Sequence, residues 1–157
     1  MEFNTSDYTN KYKEFVFTHD GQGAPYPIAF GLARLSGGEP PTAASITVSL
    51  ADEIETWRAM WLLPASVVYL VGSLPVGAKK VTEMGPTMGW VRKLSDLTAI
   101  KVVDQRAVKT SGVRLDVASA LEFGSVTEVV PVNSGVETSY KASDRFVEAV
   151  RAAWLAS

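Results

Sequence analysis

Apolar and polar residues alternate with a period of two most clearly in residues 45–64, SITVSLADEIETWRAMWLLP. Such alternation is typical of a strand with one buried and one solvated face. It stops at the polar residues 52–55 and then resumes, which predicts two strands joined by a short turn. The sequence therefore predicts an antiparallel hairpin around which the rest of the chain is organised.

The two faces of this predicted hairpin differ in chemistry. One face, which we call the tryptophan face, carries Ile46, Val48, Leu50, Trp57, Ala59, Trp61 and Leu63. The other, which we call the hydroxyl face, carries Thr47, Ser49, Arg58 and Met60. Because large apolar side chains are mostly buried, we expect the tryptophan face to lie on a core and the hydroxyl face to contact a partner.

Further extended segments are predicted on both sides of the hairpin. The Asp20-Gly21 pair with Gly23 two places on is a strong turn signal, because these residue types tolerate positive φ. It predicts an N-terminal β-hairpin with strands at 13–18 and 26–35. Apolar runs predict further strands at 67–70, 97–103, 113–118 and 123–132, whereas residues 76–88 predict mainly turns.

The last segment changes to a helical period. Ser143 suits the N-cap position, and Asp144 suits the positive end of a helix dipole. Apolar residues then form a single stripe of Phe146, Val147, Val150, Ala153 and Trp154. This spacing predicts an amphipathic helix over 143–156 that needs a sheet or another subunit to lie on.

Together these patterns predict an α+β fold in a single domain over residues 1–157. We expect an arm at 1–12, then an N-terminal hairpin and an antiparallel sheet of about five or more strands within 13–132. The helix at 143–156 is expected to close the chain by packing on the sheet.

Composition narrows the possible chemistry. The chain has 157 residues, no cysteine and one histidine, His19. Thiol catalysis, disulfides and Cys-ligated metals are therefore excluded, and a His-rich metal site is not expected. The most apolar window, residues 61–76, is too short to cross a bilayer and contains two prolines. We expect no cofactor, no metal, no membrane partner and no small-molecule substrate.

Charge is distributed unevenly along the chain. The formal net charge is −2, but residues 1–55 carry eight acids and three bases, whereas residues 79–114 carry eight bases and three acids. A basic segment of this kind can face phosphates, although solvated strand ends and loops give the same pattern. The low charged fraction of 20% beside 46% apolar residues also indicates that partners cover part of the surface.

Three motifs, in the same order as in the family, resemble the coat proteins of single-stranded RNA bacteriophages (levivirus-like). Residues 14–23, EFVFTHDGQG, resemble the opening hairpin of these proteins. Residues 45–64 are similar to their central hairpin, and residues 142–157, ASDRFVEAVRAAWLAS, resemble the helix that follows their last strand.

The resemblance implies a viral structural protein rather than an enzyme. Family members form intertwined homodimers in which the helices of one subunit lie on the sheet of its partner. The dimers self-assemble into an icosahedral capsid that packages single-stranded RNA. The resemblance thus implies that the chain is made in the cytoplasm of a bacterial host and resides in the virion.

By motif position, the resemblance also implies RNA contacts at Thr47, Ser49, Arg58 and Met60. Hydroxyls and a guanidinium suit phosphate oxygens and the splayed bases of a stem-loop. On this interpretation the tryptophan face receives the helix stripe, and the hydroxyl face looks into the particle.

Two alternatives remain open at the level of sequence. The chain could be another viral structural module, such as a jelly-roll capsid or tail protein, which would contain two packed sheets. It could also be a small enzyme that uses Asp20, His19 and Glu39 in acid–base chemistry, although no recognised spacing supports this.

Overall fold

The computed structural model describes residues 11–77 and 85–157. Within these ranges the chain is α+β, as predicted. Its helices and strands, in chain order, are α1 Tyr26–Leu35, β1 Ala43–Ala51, β2 Ile54–Leu62, β3 Ser66–Pro75, β4 Thr87–Lys93, β5 Ala99–Lys109, β6 Val113–Phe123, β7 Val126–Val129 and α2 Glu137–Ala156. The predicted single sheet is wrong, because the strands form an antiparallel four-stranded sheet, β1-β2-β3-β4, and an antiparallel three-stranded sheet, β5-β6-β7.

The predicted central hairpin is formed by β1 and β2. Val48 pairs with Trp57 and Thr47 pairs with Arg58, so each pair lies on the face that the alternation predicts. The turn is tighter than predicted, since only Asp52 and Glu53 separate the strands, with φ of 52° and 61°. Two successive residues with positive φ are typical of the turn whose twist matches that of a hairpin.

The tryptophan face lies on a core, as predicted, but a different helix covers it. Trp57, Ala59 and Trp61 are buried in a cluster with α1 and with the segment that precedes it. The Trp61 ring stacks on Tyr12 with 5.2 Å between centroids, and its indole Nε1 donates to the Phe15 carbonyl oxygen at 2.7 Å. Leu50, which was assigned to this face, is exposed because it lies near the end of the hairpin.

Helix α1 replaces a predicted strand. The expectation of a strand at 26–35 is wrong because its buried residues have a helical spacing: Ile28, Ala29, Leu32 and Ala33. Pro27 occupies the first turn, where a missing N–H costs little. The helix lies so close to β3 that a Cβ on Gly31 would come within 2.9 Å of the Leu70 Cδ2 atom.

The predicted N-terminal hairpin is reduced to a turn with one β-bridge. The bridge joins Phe17 and Gly23, and residues 13–18 form no longer strand. The chain nevertheless reverses where the Asp-Gly pair predicts, because the Thr18 amide donates to the Gln22 carbonyl oxygen at 2.9 Å. Residues 1–10 of the predicted arm lie outside the described residues.

Helix α2 is confirmed as the closing helix, with a different start and a different position. It begins at Glu137 rather than near Ser143, whose side chain is buried within the helix. Its Phe146 and Val150 pack in a cluster with Met60 and Leu62 on the side opposite the tryptophan face. We predicted that the apolar stripe of α2 packs on the tryptophan face. Within this chain that prediction is wrong, because α1 already occupies the tryptophan face.

The second sheet meets the first across the apolar cluster that contains Phe146 and Val150 of α2. A 3-10 helix at Leu94–Asp96 joins β4 to β5, and its Leu94 is buried beside Leu121 and Phe123 of β6. Strand β4 was not predicted, because its first two residues lie in the segment 76–88 that suggested turns and no element was assigned to residues 89–93. Residues 78–84 lie outside the described residues. The strands predicted at 67–70, 97–103, 113–118 and 123–132 correspond to β3, β5, β6 and β7 with shifted ends.

The fully buried Trp61 gives a direct test of this core. We expect Trp61→Ala to lower the free energy of unfolding by about 3–5 kcal/mol, because it leaves a cavity and an unpaired Phe15 carbonyl. Chemical denaturation followed by circular dichroism would measure the change. Trp57→Phe, which keeps an aromatic ring in the same core, is the matched control and should cost less. Equal losses in the two variants would contradict the role assigned to Trp61.

Candidate nucleic-acid interface

The candidate site is a groove of about 540 Å³ over the part of the hydroxyl face that lies towards the β1–β2 turn. Its floor is built by four neighbouring strands, because antiparallel pairing aligns residues of the same face. The floor residues are Thr47, Ser49, Thr56, Arg58, Tyr69, Val71 and Met88. A groove of this volume is in the range of sites that hold small ligands or single bases.

One wall of the groove is the segment 128–134, which follows from β7 towards α2. Three serines anchor this wall from different parts of the fold. Ser45 Oγ donates to the Pro131 carbonyl oxygen at 2.9 Å, and the Val130 amide donates to the Ser119 carbonyl oxygen at 2.8 Å. The Asn133 amide donates to Ser139 Oγ at 2.7 Å. The wall is therefore fixed to β1, to β6 and to α2.

Hydroxyl groups and one cation supply the polar chemistry of the floor. Thr56 Oγ1 lies 3.2 Å from Ser73 Oγ across the β2–β3 pair, next to the exposed Ser49. The Arg58 side chain is exposed, and it forms no ion pair within the described residues. An unpaired guanidinium beside several hydroxyls can bind a phosphate group.

Tyr69 and Glu128 connect the floor to the wall. The Tyr69 hydroxyl donates a hydrogen bond to the Glu128 carboxylate. Burial, followed by this hydrogen bond and the negative charge of Glu128, raises the pKa of Tyr69 from 10.0 to about 12, while Arg58 acts in the opposite direction. The groove thus holds a cation, an anion and a neutral phenol close together.

The structure brings three of the four predicted contact residues into this groove. Thr47, Ser49 and Arg58 line it, although Thr47 is buried to 6% exposure beneath the wall. Met60 does not line the groove, because it is fully buried in the cluster with α2. The hydroxyl face is therefore open near the turn and covered at its other end.

Sequence reasoning missed Tyr69, Glu128 and Asn133. The alternation would have placed Tyr69 on the hydroxyl face only if its pairing with Met60 of β2 had been known. Glu128 and Asn133 belong to a wall that is positioned by tertiary contacts, and the sequence carries no local signal for it.

The residues of the alternative acid–base proposal lie apart from this groove. Thr18 Oγ1 donates to the Asp20 carboxylate, a hydrogen bond that lowers the pKa of Asp20 and closes the local turn. Glu39 is exposed in the segment between α1 and β1. The described residues hold no group of three potential metal-ligating side chains, and none of their helices is long and apolar enough to cross a membrane.

No protein-family model, curated protein or solved structure matches the chain.

The raised pKa of Tyr69 makes stability depend on pH in the alkaline range. The folded state holds the phenol proton more tightly than the unfolded state, so this contribution is complete below pH 10 and is lost as the pH rises towards 12. We expect the free energy of unfolding to fall more steeply between these pH values in the wild type than in Tyr69→Phe. Urea denaturation at a series of alkaline pH values would measure both slopes.

Glu128→Gln provides the second arm of this test. It removes the negative charge that adds to the effect of burial on this pKa, so Tyr69 should ionise at a lower pH in an absorbance titration at tyrosinate wavelengths. An unchanged Tyr69 titration in this variant would contradict the proposed link between floor and wall.

Proposed function

We propose that the chain is a coat-protein subunit of the single-stranded RNA bacteriophage type, which self-associates into dimers and then into a shell that packages RNA. The observation that carries the proposal is the groove itself, where Thr47, Ser49 and Arg58 line one surface. This proposal combines the motif resemblance with the chemistry of that surface. It also includes the expected location of the protein in the virion.

The groove supports the RNA part of the proposal through its donors. Its guanidinium and hydroxyls suit phosphate and ribose oxygens. Met60, which the motif also placed in this interface, is buried and takes no part in the proposed contact.

The unpaired edge of strand β5 supports the assembly part of the proposal. β5 is an edge strand, and residues 101–107 along it are all exposed. Val102 and Val103 are among these exposed residues. A long edge with exposed β-branched side chains is a template for pairing with another chain. Contacts between copies would cover surface of this kind.

The presence of two sheets bears on the jelly-roll alternative. A jelly roll contains two packed sheets with Greek-key connections. In the described part of this chain, both sheets instead connect sequential neighbours, β1 to β4 and β5 to β7. This meander is not the Greek-key order of a jelly roll, although two sheets are what that alternative predicts.

Purification of the expressed chain tests the proposal. We expect size-exclusion chromatography to give a large species whose ratio of absorbance at 260 nm to that at 280 nm shows nucleic acid. Arg58→Ala should leave the large species intact but lower its RNA content, because a phosphate contact is lost. Arg34→Ala is the matched control, since Arg34 is an exposed cation on α1, the helix that covers the other face of the sheet. A wild-type chain that elutes as a stable monomer without nucleic acid would refute the proposal.

Trp154 tests the packing between subunits. Its side chain is only half-buried and borders a groove between α2 and the β5–β6 strands. If a partner covers this surface, Trp154→Ala should prevent assembly or sharply reduce it. Because the side chain is half-exposed in one chain, the melting temperature should fall less than in a variant of a fully buried tryptophan. Intact particles from Trp154→Ala would exclude this residue from a subunit contact.

A further inference from the structure

Two hairpin tips in different sheets carry exposed apolar side chains beside charged ones. The first, which we call the basic end, is the tip of the β5–β6 hairpin around Lys109, Val113 and Leu115. The second, which we call the acidic end, is the tip of the β1–β2 hairpin and the end of β3, with Leu50, Asp52, Glu53, Pro75 and Val76.

The basic end is apolar on one side and positively charged. Lys109 pairs with Val113 and Ala107 pairs with Leu115, so these four side chains share one side of the hairpin. Val113 is 74% exposed and Leu115 is also exposed. Of the three basic residues at the basic end, Arg106, Lys109 and Arg114, only Lys109 forms no ion pair among the described residues, since Arg114 also contacts Glu137. On the other side of the hairpin, the Arg106 and Arg114 guanidiniums both contact the buried Asp116 carboxylate.

The acidic end also has exposed apolar side chains, but its charged side chains are negative. Leu50, Glu53, Pro75 and Val76 line an open groove of about 470 Å³, and Leu50 is 66% exposed. Residues 43–57 contain three acids and no base. Among the described residues, neither Glu53 nor Lys109 takes part in an ion pair.

We propose that the basic end of one copy docks on the acidic end of a second copy, with Val113 and Leu115 in the groove and Lys109 beside Glu53. Both ends are exposed in the same chain, so a single chain does not satisfy the contact by itself. The contact is head-to-tail, and repetition of such a contact generates rings or extended assemblies. The inference rests on the proposed self-assembly but not on RNA binding.

The apolar side chains favour a protein partner over RNA at the basic end. Phosphates are bound by cations and hydrogen-bond donors, whereas Val113 and Leu115 offer neither. The acidic end would repel RNA, but it attracts a cationic apolar hairpin tip. Charge complementarity together with apolar contact is the usual composition of a specific interface.

Charge reversal tests the contact without a change in fold. Glu53→Lys keeps a long side chain at a position with positive φ, and Lys109→Glu lies at an exposed strand end. We expect each variant alone to raise the concentration needed for half-assembly by about tenfold or more, because like charges then face each other. Light scattering across a concentration series would measure it. Lys13→Glu, an exposed lysine with the same charge change outside both ends, is the control.

Mixing the two variants gives the decisive arm of the experiment. The reversed basic end of Lys109→Glu should dock on the reversed acidic end of Glu53→Lys, so an equimolar mixture should regain association. Restoration in the mixture and in the double variant would support the proposal. If the wild type assembles and both single variants assemble equally well, the docking is refuted while the proposed coat function stands.

Two other outcomes separate this inference from the proposed function. If Lys109→Glu keeps full assembly but loses RNA, then the occupant of the basic end is RNA and the docking is refuted. A wild-type chain that stays monomeric would refute both this contact and the shell. Thermal unfolding of each variant distinguishes a lost contact from a lost fold, since only the latter lowers the melting temperature strongly.

Discussion

Burial of the four-stranded sheet on both faces is the constraint on which the rest of the structure depends. Strict alternation along β1 and β2 sends Trp57 and Trp61 to one side and Met60 to the other, and all three side chains are buried. Each face therefore needs its own cover, because an uncovered tryptophan or methionine cluster would remain in contact with water. Helix α1 covers the tryptophan face, while α2 and the second sheet cover part of the hydroxyl face.

The candidate site exists because the second cover is incomplete. Helix α2 and β6 bury the hydroxyl face around Met60 and Leu62, and the wall over residues 128–134 extends this cover to Thr47. Nearer the turn, nothing in the described part of the chain covers Ser49 and Arg58. A polar opening thus remains beside a packed core, so the same strands that hold the fold together also present the donors of the groove. Substitutions at these two positions should affect binding more than folding.

The sequence predicted the elements whose pattern is local. The period of two and the acidic turn were sufficient for β1 and β2, and the apolar stripe was sufficient for α2. Residues 26–35 were assigned wrongly because the Asp20-Gly21 turn predicted a returning strand, although the spacing from Ile28 to Ala33 is helical and proline is favourable in a first turn. Which helix covers which face was also predicted wrongly, because alternation specifies two faces but not their partners. In the site, Thr47, Ser49 and Arg58 followed from position on the hairpin, whereas Glu128 depends on a wall held by distant serines.

The central claim is that this chain forms an RNA-containing shell with the groove directed towards the RNA. Electron cryo-microscopy of the purified, assembled protein tests it most directly. The account predicts closed particles of uniform size in which nucleic-acid density lies against Arg58 and the open end of the hydroxyl face. Particles whose Arg58 surface points outwards, or assemblies with no nucleic-acid density on that side, would contradict it.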